Sequence, residues 1–148
     1  MNWLLPRRLP GLLLLALATC LFGCPQDAKT GPVEITWDRD QCASCGMVIS
    51  EPHFAAEVRG GPKGALAKFD DIGCALKWLG SQSWAEDTTT EIWVARRADR
   101  QWLNAKTAKY LAGKSSPMGY GFAAMDPGAE GLDFAAVRAH VRALDAKH

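Results

Sequence analysis

The sequence predicts an α+β chain whose first half is a β-β-α-β unit, and three observations carry that prediction. Short runs rich in β-branched and aromatic residues recur at 53–59, 65–69 and 91–97. The first two are separated by Gly60-Gly61-Pro62-Lys63-Gly64, a composition that turns a chain back on itself as a hairpin. Between the second and third, Ile72, Ala75, Leu76 and Leu79 recur at helical spacing and stop at Gly80.

The chain begins with a processing signature. Arg7 and Arg8 form a positive n-region and residues 12–21 an apolar stretch too short for a comfortable span of about 20 residues. The stretch ends in Leu21-Phe22-Gly23-Cys24, which resembles a bacterial lipobox. Residues 1–23 are therefore expected to be a lipoprotein signal peptide, with Cys24 acylated, inserted in membrane lipid and made the new N-terminus. That places the protein in the periplasm or cell envelope as a membrane-anchored lipoprotein. Pro25 stands where a retention aspartate would, so inner and outer membrane both stay open. Residues 24–32 then read as a turn-rich tether, P-Q-D-A-K-T-G-P following the acylated cysteine. Without the signal the chain is near neutral, fifteen basic against sixteen acidic residues, which excludes the charge excess of a nucleic-acid binder. About 125 residues remain, enough for one compact domain or two small lobes.

Residues 33–37 alternate as a short strand leading into Q-C-A-S-C-G-M-V-I-S, residues 41–50. Thiolate and thioether are polarizable donors that favour Cu(I), and methionine adds little for hard cations. Cys42 and Cys45 can share one metal or one disulfide, and Gly46 lets the backbone turn so that Met47 comes back to the same point. Met47 alternatively opens a hydrophobic strand, M-V-I, as a core filler. With Cys24 acylated, Cys42, Cys45 and Cys74 form an odd set in a compartment where disulfides form. One thiol must stay unpaired, bind metal or pair with a partner.

Asp70 or Asp71 caps the predicted helix, and the pair reads as cap and turn rather than as an acid/base pair. Cys74 falls in the first helical turn, where the N-terminus favours a thiolate. It is either a third sulfur ligand or a small buried hydrophobe. Residues 81–90 read as a polar linker and 91–97 as a strand. Residues 101–105 form a short strand, 106–111 a helical turn and 117–125 a glycine-punctuated strand. An amphipathic helix follows over 134–144. Met118, between Pro117 and Gly119, stands at a turn that suits metal capture or core filling alike. His140 reads as a solvated or core histidine and the terminal His148 as unstructured.

The lipobox, C-A-S-C-G-M, F-D-D-I-G-C, W-L-N-A-K-T-A-K-Y and S-P-M-G-Y-G-F-A-A, in that order, resemble the NosL family of periplasmic copper lipoproteins, which assist maturation of nitrous oxide reductase. The likeness runs from Gln41 to Met125. It implies two small β-β-α-β-like lobes, about 33–98 and 99–148, within a copper-binding domain over 33–148. It implies a Cu(I) metallochaperone, not an enzyme, whose partner is nitrous oxide reductase or its assembly machinery. Cys45 and Met47 match the family's C-G-M as the leading copper ligands, and Met118 matches its P-M-G segment as a ligand from the other lobe. Cys42 is the extra cysteine of C-x-x-C, either a copper ligand or a disulfide partner of Cys45.

Competing readings remain. Cys42 and Cys45 could serve a thiol-disulfide oxidoreductase, which needs them at a helix N-terminus after a strand; here β-branched residues follow instead. Cys42, Cys45, Cys74 and His53 could form a structural zinc knot, which leaves both methionines without a role. A general envelope metal-binding protein keeps copper and drops nitrous oxide reductase. No Ser-His-Asp set, phosphate loop or catalytic carboxylate pair emerges.

Overall fold

The computed structural model describes residues 30–146, so the expected signal peptide, Cys24 and His148 lie outside the described residues. The fold is α+β. Its elements run β1 (Ala56–Gly60), β2 (Ala65–Phe69), α1 (Ile72–Gly80), β3 (Glu91–Ala95), β4 (Trp102–Asn104), β5 (Lys109–Leu111), β6 (Ala123–Met125) and α2 (Phe134–Asp145). A four-stranded antiparallel sheet has the order β2-β1-β3-β4, and β5 pairs with β6 in a second, two-stranded sheet. Among the described residues no helix is long and apolar enough to cross a membrane.

The register of the larger sheet explains its two faces. Ala56 stands opposite Phe69 and Val94, and Val58 opposite Ala67 and Ile92. Paired residues point to the same side, so this face is apolar, and α1 covers it with Ile72, Ala75, Leu76 and Leu79, all buried. Each large side chain so buried contributes roughly 1.5 to 3 kcal/mol. The opposite face carries Glu57 against Lys68 and Trp93, and Arg59 against Leu66 and Glu91.

That charged face explains a departure from the sequence reading. Residues 33–36 form no strand, and Trp37 opens a turn. Side chains of the sheet satisfy the segment in place of a ladder. Glu91 accepts from the Gly31 amide at 2.7 Å, Glu57 from the Val33 amide at 2.9 Å, and Lys68 donates to the Glu34 carbonyl at 2.8 Å. A chain crossing over a sheet face in this way shows the same alternation as a strand.

Residues 106–111 differ as well. The helical turn ends by Thr107, and Lys109–Leu111 is β5, because Tyr110 is fully buried between Ala124 on β6 and an isolated bridge to Leu132. The expected strand at 117–125 is reduced to Ala123–Met125. Gly119 and Gly121 adopt φ of 75° and 80°, a left-handed backbone that breaks an extended run. The first expected strand likewise begins at Ala56 rather than at His53, since a turn closes from Glu51 to Phe54. Both helices agree closely with expectation, capped by Asp71 and Asp133.

A candidate thiol-rich metal centre

Residues 38–49 fold back as a loop whose ends meet, the Asp38 amide donating to the Ile49 carbonyl and the Ile49 amide to the Asp40 carbonyl. Inside it the Cys42 amide donates to the Met47 carbonyl and the Gly46 amide to the Cys42 carbonyl, both at 2.8 Å. Gly46 takes φ of 75°, the sharp turn its place in C-G-M predicts. The loop is tied to β2 where the Ala43 amide donates to the Lys68 carbonyl. These bonds hold Cys42 and Cys45 over the N-terminus of α1.

Four donor atoms converge there. The sulfurs of Cys42, Cys45 and Cys74 and a carboxylate oxygen of Asp70 all lie within 4.8 Å of one another. Cys42, Cys74 and Asp70 are buried, whereas Cys45 is exposed and gives the group its contact with solvent. All three thiols are free.

Neighbouring backbone amides favour the thiolate forms, those of Ser44, Cys45 and Asp70 at Cys42 and that of Met47 at Cys45. The Cys74 thiol is the strongest influence on Cys42 and holds it well below the usual thiol range. The same contact, then burial, pushes Cys74 up. The pull of the helix end towards a thiolate at Cys74 is thus opposed by the neighbouring Cys42 and Asp70. Cys45 is raised, chiefly by burial. Burial and the adjacent Cys42 push Asp70 up to about 6. The cluster can therefore present soft anionic sulfur to a cation from one thiolate at the outset, the other two deprotonating as metal enters.

Asp70, expected as a cap or turn residue, was not among the expected ligands. Asp71 does the capping, its Oδ1 accepting from the Gly73 amide at 2.8 Å. Asp70 is left 2% exposed, in contact with Cys42, with Oδ1 unpartnered. No helical spacing could have found it, because Asp70 precedes the extended cap residue Asp71 and lies outside the helix.

The remaining expected ligands are placed differently. Met47 is 55% exposed, two residues after Cys45. Met118 is half-buried against the core and lines a cavity of about 280 Å³ with Lys77, Tyr120, Leu144 and Asp145. His53 stays outside the thiol group, its Nδ1 donating to the Arg97 carbonyl at 2.8 Å. His140 stacks edge-on against Phe122, with ring centroids 5.2 Å apart.

No protein-family model matches the chain, and no significant match exists among curated proteins.

Proposed function

We propose that the protein is a Cu(I)-binding metallochaperone of the cell envelope, a carrier and not a catalyst. The observation that carries this is the meeting of three free thiols, two of them buried and the third exposed, with an exposed methionine two residues further on. Soft sulfur donors in that number suit Cu(I). Cys42 and Cys74 grip the ion from inside, and Cys45 and Met47 hold it at the surface. An incoming sulfur or imidazole ligand of a receiving protein attacks on the Cys45 side and displaces the outer ligands first. Copper then passes between proteins without being released to water.

The destination comes from the resemblance to the NosL family: the receiving protein is nitrous oxide reductase or its assembly machinery, and Cys24 anchors the carrier in membrane lipid. A delivery role requires that cells lacking the chain make nitrous oxide reductase with subnormal copper, restored by the wild-type chain and not by Cys45→Ser. Full copper content in the deletion strain would leave a general envelope metal-binding role. Catalysis by Cys42 and Cys45 instead would show as reduction of insulin disulfides by the metal-free chain.

A further inference from the structure

We infer that the cluster also takes a divalent ion of the zinc and cobalt class in a tetrahedral site of three sulfurs and one oxygen, with Asp70 supplying the oxygen. The inference rests on reading the thiol group as a metal site and is independent of copper delivery.

Cu(I) is satisfied by two or three sulfurs and gains little from a carboxylate. Asp70 nonetheless brings an oxygen within 4.8 Å of all three sulfurs, at 2% exposure, with Oδ1 lacking any hydrogen-bond partner. A buried carboxylate with one oxygen unpartnered is costly to keep. The helix does not require it, since Asp71 is the cap. Zinc-class ions take Cys sulfur at about 2.3 Å and carboxylate oxygen at about 2.0 to 2.2 Å in tetrahedral sets, so the four atoms need only small side-chain rotations to close.

Charge is provided for as well. Three thiolates and a carboxylate around a divalent ion leave two negative charges. Backbone amides of Ser44, Cys45, Asp70 and Met47 already favour the thiolate forms of Cys42 and Cys45. The N-terminus of α1 begins at Ile72, beside the site, and adds its positive end. With Asp70 bound, the ion is fully coordinated, and the open position through which a carrier passes its cargo is closed.

The test uses the full-length chain in detergent, reduced and metal-free, titrated without oxygen with cobalt(II) chloride. Wild type should bind one cobalt per chain, with tetrahedral ligand-field bands and sulfur-to-cobalt charge transfer. Asp70→Asn should lose at least about tenfold in cobalt affinity, the low end of what even an outer partner costs, and lose more for cobalt than for Cu(I). Asp70→Cys should restore tight cobalt binding with added charge-transfer intensity, and it decides the matter if Asp70→Asn does not fold. Six-coordinate cobalt in wild type would overturn the inference. So would an Asp70→Asn spectrum and affinity equal to wild type, or an Asp70→Cys variant with no added charge transfer. Cobalt binding without Cu(I) binding in wild type would sink the delivery role and leave this site standing.

Discussion

The ring of Tyr120 occupies the space that a side chain at Gly73 would need: a Cβ placed there would lie 1.9 Å from the ring's Cγ. Gly73 adjoins Cys74 in the first turn of α1, so this contact seats the 113–122 segment directly against the sulfur cluster. The clash is with the root of the ring, so only a change of χ1 or a backbone shift relieves it. Gly73→Ala should cost about 1 to 3 kcal/mol by overpacking, read as a lower urea midpoint at unchanged slope. Tyr120→Ala should remove most of that penalty in the double variant; equal penalties with and without the ring would show that the contact is not the cause.

Asp71 holds the same segment from the other side. Its Oδ1 caps Gly73, and its Oδ2 accepts the Ser116 hydroxyl at 2.5 Å, which in turn accepts from the Gly121 amide at 2.9 Å. Asp71→Ala removes a cap and leaves buried donors unpaired, a loss of about 2 to 4 kcal/mol. Asp71→Asn, which can still cap, should lose less. Equal losses in thermal unfolding would separate the cap from the Ser116 link.

Glu57, fully buried with Oε1 unpartnered, has its carboxyl pushed up by burial to about 7 from an ordinary 4.5. Between those values the folded state binds more protons than the unfolded chain, so stability falls as pH rises through the window and levels off above it. Asp70, raised to about 6 by burial and Cys42, adds a change of the same sign. Glu57→Gln should flatten the profile and stabilise the protein above pH 7 by about 2 to 3 kcal/mol. Unfolding midpoints measured from pH 5 to pH 8 check this, and a variant profile parallel to wild type would refute it.

The two methionines are expected to weaken Cu(I) binding when changed to leucine, with little effect on folding because volume is nearly kept. Met47→Leu tests a methionine 55% exposed two residues after Cys45, whereas Met118→Leu tests one packed against the core. Unchanged Cu(I) affinity in both variants would make Met47 a surface residue and Met118 a packing residue.

What the sequence disclosed and what it hid divide along a physical line. The β1–β2 hairpin and α1 could be read because the turn glycines, the alternation and the Asp71 cap act within a few residues of one another. The segment at 33–37 misled because its partners are Glu57, Lys68 and Glu91, distant in sequence and on a sheet face rather than an edge. Residues 106–111 carry one alanine and two lysines suited to a helix, but burial of Tyr110 between β6 and Leu132 decides for a strand. In the site, C-x-x-C and Cys74 were visible as thiols. Their convergence, and the release of Asp70 from capping by Asp71, depend on how the 38–49 loop lands on α1.

Cys45 is the exposed member of the thiol group and the one through which copper would enter and leave. The most direct measurement is an oxygen-free competition titration of the full-length chain against a chromophoric Cu(I) chelator, in wild type, Cys42→Ser, Cys45→Ser and Cys74→Ser. A Cu(I) carrier should bind one ion per chain, with Cys45→Ser losing stoichiometric binding and the other two variants weakened by more than about tenfold. Full Cu(I) affinity in Cys45→Ser would contradict it.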